Sequence, residues 1–408
     1  MLRYYFGSTG KAYRKSNGKT INGKKYGFDE DGKMLFGYVE ADSYNIINDD
    51  EDPILNATYY YGTNEDGARH SGWLQYTDAL SDHEDDYYWF YFNTSNGKKV
   101  VDQQKSINGK KYSFDKDGIM DFKWTSATVG GVKTTTWFNK LENGSLAKNQ
   151  WIWNKPYENG TLKSTQDDYN DETERWFRTD ASGKLIKNQT KKVNSKWYVF
   201  DQDGVMRTGL VVLKNTDGAV SGEDNFVKAY DMDDVTKDKI LADKPGKALH
   251  YFSENEESDG SMKTGTIKIE LADDEYTFCF AKNTGAAKNG YDSSSKKIYN
   301  SGILEKADDD KYSVVTDETN GKNYLVGSTG SVVKNVNKYK DANDMYYVYV
   351  QTKDGWVIGS TYIEEAAKAV VNNKAKFQVL NTADVTVLDG TYDNVAYTVD
   401  IVGDSKEK

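Results

Sequence analysis

Tyr26-Gly27-Phe28-Asp29-Glu30-Asp31-Gly32-Lys33-Met34 decides the fold, because the chain repeats it. It returns as Tyr112-Ser113-Phe114-Asp115-Lys116-Asp117-Gly118-Ile119-Met120 and as Tyr198-Val199-Phe200-Asp201-Gln202-Asp203-Gly204-Val205-Met206. Each copy reads as an aromatic strand, a turn closed by Gly, and a second short strand. Self-similarity at a spacing of tens of residues implies small units that cover one another's apolar faces.

The turn glycine serves as an anchor for alignment. It recurs at Gly10, Gly32, Gly67, Gly97, Gly118, Gly144, Gly183, Gly204, Gly260, Gly285 and Gly330, with a weaker copy at Gly355. Six residues before it stand Tyr4, Tyr26, Tyr61, Tyr91, Tyr112, Phe138, Phe177, Tyr198 and Tyr324; only Glu254 and Cys279 interrupt this ring column. Five residues after it stand Gly37, Gly72, Asn149, Asn188, Gly209, Gly265, Gly290 and Asn335, with Lys15, Asp102 and Lys123 as exceptions. Gly and Asn tolerate a left-handed backbone, so this second column predicts a fixed positive φ where the chain turns toward the next unit.

Asp29-Glu30-Asp31-Gly32 suits a type I turn with a left-handed glycine after it. Asn22-Gly23 and Asn108-Gly109 each follow Ile and precede Lys-Lys-Tyr, which predicts a two-residue hairpin. The minimal unit is therefore a β-hairpin of about 20 residues. Asp-x-Asp-Gly also opens calcium loops, but the downstream bidentate Glu is missing after Gly32, Gly118 and Gly204. The plain turn is the reading we adopt.

Composition agrees with an array. Hydrophobic residues are 37% of 408, while 31 Tyr, 15 Phe and 9 Trp carry the apolar surface. Mean hydropathy is −0.81. Net charge is −11, with no basic footprint of the kind that nucleic-acid binding needs. One cysteine, Cys279, excludes an intrachain disulfide. No apolar run has the length of a membrane span. Met1-Leu2-Arg3 runs straight into Tyr4-Tyr5-Phe6, without a signal-peptide core. We expect a piece of a longer, multi-domain chain whose leader has been removed; a complete cytosolic protein is the plainer alternative.

Anchor spacing divides the chain into 1–210, a hairpin array; 211–247, an insertion expected to form loops; 248–360, further hairpins; and 361–408, a cap or the start of another module. In the tail, Ile363-Glu364-Glu365-Ala366-Ala367-Lys368-Ala369-Val370-Val371 predicts a short helix. Phe377 to Val402 then predicts strands around Asp389-Gly390. The fold expected is an all-β solenoid of stacked β-hairpin repeats with loop insertions and a small α+β tail.

Ile21-Asn22-Gly23-Lys24-Lys25-Tyr26-Gly27-Phe28-Asp29-Glu30-Asp31-Gly32-Lys33-Met34 resembles the consensus of the cell-wall-binding repeat family, also called choline-binding-like repeats. Similar arrays form glucan-binding regions of glucansucrases and receptor-binding regions of clostridial toxins. The resemblance is closest around Gly32, Gly118 and Gly204, fair to about residue 360 and absent from the tail. It implies a hairpin solenoid on a bacterial exterior, secreted or at the cell surface. It implies binding of a cell-wall polymer or polysaccharide, with a host glycan as a further candidate, and neither catalysis nor a cofactor.

In choline-binding relatives a Trp after the second-strand Gly joins rings of the next hairpin in a cation–π cage. The matching position here holds Tyr38, Trp73, Trp124 and Tyr291, but Gln103, Gln150, Gln189, Leu210, Thr266 and Val336 in other copies. Three pockets are therefore expected rather than a continuous ladder. Trp73 would face Tyr87, Tyr88 and Trp89 across the next hairpin, Trp124 would face Trp137, and Trp151 and Trp153 would face Trp176. Packing between hairpins is the alternative role for each ring.

Two other functions compete with polymer binding. One is a spacer or host-receptor adhesin, favoured by the degenerate Trp column. The other is an enzyme, for which the sequence offers little. The 64 Asp and Glu lie mostly in turns, and His70, His83 and His250 lack metal-ligand spacing. No Gly-x-Ser-x-Gly elbow or phosphate-binding glycine loop occurs.

Overall fold

The computed structural model describes residues 2–40, 44–48, 51–81, 83, 85–129, 132–156, 173–214, 222–254, 259–307, 312–332, 339–340, 346–352, 355–362, 387–392 and 395–400. The chain divides into two compact units, Met1–Thr161 with Asn170–Ile186, and Leu162–Tyr169 with Lys187–Lys408.

The first unit is a succession of antiparallel hairpins. Ser16–Ile21 pairs with Lys24–Phe28, Tyr38–Val39 with Tyr59–Tyr60, and Gly72–Tyr76 with Tyr88–Phe92. Gln103–Ile107 then pairs with Lys110–Phe114, Lys123–Val129 with Val132–Asn139, and Trp151–Asn154 with Arg175–Arg178. The second unit has wider sheets of three, four and five strands, in which the hairpin remains the local element.

The turns follow the residue types. Every anchor glycine from Gly10 to Gly330 has positive φ. In four turns the first Asp organises the backbone. Asp115 Oδ1 accepts the amides of Asp117 (3.0 Å) and Ile119 (2.8 Å), and Asp201 Oδ1 accepts those of Asp203 and Val205 at 2.9 Å. Asp29 and Asp180 act likewise on Lys33 and Lys184. These bonds occupy the carboxylates in the turn itself. The Asn-Gly pairs are left-handed at both positions, φ 48° and 81° at Asn22-Gly23 and 50° and 77° at Asn108-Gly109. That backbone matches the twist of the flanking strands. Asn194-Ser195, at 47° and 68°, makes the same turn without glycine.

The second column holds its conformation even where the residue departs from Gly and Asn. Lys15, Asp102 and Lys123 have φ of 44°, 46° and 58°, beside Asn149 and Asn188 at 50° and 48°. The position is set by the path of the chain, and these three side chains accept a strain of about 1–2 kcal/mol each.

In eight copies one hydrogen bond joins the hairpin to its predecessor. The amide two residues after the anchor donates to a carbonyl of the preceding copy. Met34 reaches Arg3, Arg69 reaches Lys25, Lys99 reaches Thr58 and Met120 reaches Trp89. Leu146 reaches Lys111, Leu185 reaches Thr136, Ala287 reaches Leu249 and Val332 reaches Lys296, and all eight bonds measure 2.7–2.9 Å. The side chain at this same position lies on the next anchor glycine. A Cβ built on Gly67 would meet Met34 Sδ at 2.7 Å, one on Gly144 would meet Met120 Sδ at 2.5 Å, and one on Gly260 would meet Met206 Sδ at 3.1 Å. Glycine thus supplies both the left-handed turn and the space for the neighbour's methionine.

Four expectations change. Residues 211–247 are more than a loop. Phe226–Ala229 adds a strand to Gly209–Leu213, and Lys237–Asp243 forms a helix. Thr236 caps that helix by accepting the Lys239 amide, and Ile240 buries completely in a core with Leu210, Leu249, Ile269 and Phe278. Gly355 is the first residue of the strand Gly355–Tyr362, opposite Thr352, and so is no turn anchor. Asp389-Gly390 lies inside Val387–Tyr392 rather than at a reversal, because Tyr392 pairs with Val395. Pro53–Asn56 forms a one-turn helix where only a long gap was visible. The helix expected over Ile363–Val371 falls outside the described residues.

That one-turn helix holds a buried cation. Lys99, 7% exposed, donates from Nζ to the carbonyls of Ile54 (2.6 Å), Leu55 (2.7 Å) and Asp117 (2.8 Å). Burial pushes its ammonium from the usual 10.5 down to about 8, against the pull of Asp117 and Asp115. Between these values the unfolded chain binds more protons than the folded one, so stability rises with pH from about 8 to 10.5. The rise is on the order of 3 kcal/mol. Across that range the difference in urea unfolding free energy between the wild type and Lys99→Met is expected to grow by this amount, the tyrosines that burial shifts upward, such as Tyr38 and Tyr230, titrating alike in both.

The two kinds of glycine give a second prediction. A Cβ on Gly109 meets nothing within 4 Å, whereas one on Gly118 lies 2.9 Å from the Val100 carbonyl oxygen, which is backbone and cannot swing away. Gly109→Ala is expected to cost about 1 kcal/mol and Gly118→Ala roughly 2–3 kcal/mol by chemical denaturation.

Candidate aromatic binding face

The rings predicted to bind divide into two groups by geometry. Trp73 and Trp124 occupy equivalent places. Trp73 sits edge-on to Tyr91 of its own hairpin (5.0 Å, 70°) and to Tyr112 of the next (4.8 Å, 73°). Trp124 sits edge-on to Phe138 of its own hairpin (4.8 Å, 69°) and to Phe177 of the next (4.9 Å, 69°). In both places a Trp wedges between the column rings of two consecutive hairpins. Centroid spacings of 4.8–5.0 Å put these rings in contact with one another. Tyr291 extends the pattern by stacking on Tyr324 of the following hairpin at 5.1 Å.

Strand periodicity separates the other residues expected around Trp73. Tyr88–Phe92 belongs to the same hairpin as Trp73 and places successive side chains on opposite faces. Trp89 shares the Trp73 face, with ring centroids 6.1 Å apart. Tyr88 points the other way and is buried with Ile54, Leu80 and Phe90. Tyr87 precedes the strand and is 49% exposed. Trp137 pairs with Thr125 while Phe138 pairs with Trp124, so Trp137 lies on the face away from Trp124. Tyr38 stacks on Tyr60 at 4.8 Å and meets Tyr76 edge-on at 6.5 Å; burial, then the two phenols, push its hydroxyl pKa up.

Trp151, Trp153 and Trp176 come together as expected, and they do so in the open. Trp153 pairs with Trp176 and Trp151 with Arg178 across the hairpin. Ring centroids lie 5.1 Å apart for Trp153 and Trp176 and 6.3 Å apart for Trp151 and Trp176. Ile152 and Phe177 alternate with them and bury on the opposite face. Trp153 and Trp176 stay 50% and 43% exposed. Two charged groups border the rings. Glu174 accepts the Trp153 indole N–H at 2.7 Å, and the Arg178 guanidinium lies over Trp151 at 5.1 Å. The face combines flat apolar rings with a hydrogen-bond acceptor at one end and a donor at the other. Such a surface stacks on pyranose rings and bonds their hydroxyls; three rings beside a carboxylate also suit a quaternary ammonium. Glu174 and Arg178 escaped sequence reasoning, although the alternation in Arg175-Trp176-Phe177-Arg178 places Trp176 and Arg178 on one face.

A scan against protein-family models finds no match, and no curated protein matches the chain. Among solved structures it is similar to choline binding protein F from Streptococcus pneumoniae, at 18% identity over 82% of this chain and 99% of that chain, with a TM-score of 0.42. It is similar to CbpJ from Streptococcus pneumoniae TIGR4 at 17% identity, over 82% and 100% of the two chains, with a TM-score of 0.44. It is also similar to the modular autolysin LytC from Streptococcus pneumoniae at 16% identity, over 81% of this chain and 51% of that chain, with a TM-score of 0.39. The chain therefore spans about half the length of that autolysin.

The two groups of rings should respond oppositely to truncation. Trp124→Ala removes a wedge between hairpins and is expected to cost about 3–5 kcal/mol of stability. Trp153→Ala removes an exposed ring and is expected to cost less than about 1 kcal/mol. Thermal and urea unfolding of the two variants, side by side, check the assignment.

Proposed function

We propose that this chain is a non-catalytic repeat region that binds a cell-wall polymer or related glycan at the exterior of a bacterial cell and anchors a larger protein there. The observation that carries this reading is the exposed Trp151, Trp153 and Trp176 face with Glu174 and Arg178 at its borders. Three indoles gathered on the solvent side of a hairpin add nothing to its buried face, where Ile152 and Phe177 already lie. The repeat columns support the same reading through their resemblance to cell-wall-binding repeats. Weak contacts to single sugars become useful retention when a polymer offers many of them. Glucan-like and choline-bearing polymers are both candidates for such a face.

A second reading, a spacer or host-receptor adhesin, draws on Trp73 and Trp124. Both column rings are used to pack hairpins together, so an array of this kind can hold other modules apart without any ligand.

Retention on purified cell walls, teichoic acid and insoluble α-glucan distinguishes the two. The polymer reading expects the wild type to be retained. It expects Trp153→Ala and Trp176→Ala to weaken retention about tenfold each, with unfolding midpoints unchanged. A folded wild type that none of these polymers retains would sink it and leave the spacer reading.

A further inference from the structure

A cleft of about 310 Å³ lies in the second unit, beside the strand Gly290–Asp292. Lys247, Thr284, Lys288, Asn289, Tyr291 and Asp292 line it. Its polar groups can be accounted for one at a time. The Asp292 carboxylate accepts from Lys288 Nζ, from the Ser295 hydroxyl, and from the amide (3.2 Å) and hydroxyl (2.8 Å) of Ser294. Asn289 Oδ1 accepts the Ser301 amide at 2.9 Å, and Thr284 Oγ1 accepts the Ala286 amide at 3.3 Å. Beside Gly290, Asp317 accepts the Tyr291 amide (2.9 Å), the Thr319 amide and hydroxyl, and the Asn320 side chain.

The acceptors are thus engaged, and donors remain. They are the Lys247 ammonium, the two further N–H bonds of Lys288, the Asn289 amide N–H groups and the Thr284 hydroxyl hydrogen. Lys288 is paired with Asp292, so Lys247 is the uncompensated charge of the lining. Tyr291, 39% exposed and backed by Tyr324, adds a ring at the edge. A concave site with surplus donors, an uncompensated ammonium and an aromatic edge suits an oxyanion.

We propose that this cleft binds an oxyanion, a phosphate or a carboxylate, carried on a glycan or polyol polymer. The site is separate from the tryptophan face and independent of it, so either can fail without the other. In a chain of net charge −11 it would be a local exception, able to hold an anionic polymer that the bulk of the surface repels.

The test is an amide NMR titration of the full chain at constant ionic strength, with inorganic phosphate, glycerol phosphate, glucuronate, glucose and choline as separate probes. Saturable shifts confined to residues 284–292 and 247 are expected with the anions and absent with glucose and choline. Response to the phosphates alone, or to glucuronate alone, supports the site and identifies its source. Lys247 is exposed, so Lys247→Gln should leave the fold intact and weaken anion binding at least about fivefold. Lys244→Gln, a nearby lysine paired with Glu318, should leave binding unchanged. Absence of saturable shifts with every anion, equal affinity in Lys247→Gln, or the same shifts with glucose or choline would each overturn the proposal.

Discussion

The hydrogen bond from the amide two residues after the turn glycine to the preceding hairpin, made in eight copies, is the constraint on which the array depends. A two-stranded hairpin is marginal alone and exposes unpaired groups on both edges. Here one edge amide in each of eight copies is satisfied by the copy before it, from Met34 and Arg3 to Val332 and Lys296. A single such bond contributes only about 1 kcal/mol net. Its importance is geometric. It fixes where the next hairpin lies, and that position brings the methionine onto the following glycine and the column rings into contact. Substituting the glycine disturbs all three, because positive φ, close approach and register meet at one residue.

The same geometry governs where a ligand can bind. Trp73 and Trp124 stand where the next hairpin packs, and their partly buried rings lie against Tyr91 with Tyr112 and against Phe138 with Phe177. Alternation turns outward the rings that lie off the column. Trp153 and Trp176 are of this kind. Burial of Ile152 and Phe177 holds the hairpin, and the indoles on its other side stay exposed.

Much of this was legible in the chain. The glycine and ring columns located the turns and inner strands. The Gly and Asn column located a left-handed position that persists through Lys15, Asp102 and Lys123, showing that conformation was the repeated quantity and residue type only its usual carrier. What stayed hidden has physical reasons. The helix Lys237–Asp243 has one fully buried residue, Ile240, too few for a helical period to appear. Asp389-Gly390 reads as a reversal by local preference, but the pairing of Tyr392 with Val395 decides otherwise. Tyr88 and Trp137 were grouped with rings that alternation sends to the other face. The partner of Trp153, Glu174, is ordinary in sequence and acquires a role only when the strands pair.

Under the proposed function, exposed indoles bind and wedged indoles pack. The indole N–H resonances report this directly, one per tryptophan, during titration with solubilised cell-wall polymer. The account predicts that the Trp153 and Trp176 resonances shift or broaden with added polymer while those of Trp73 and Trp124 stay in place. Movement of Trp73 and Trp124, with Trp153 and Trp176 unaffected, would contradict it.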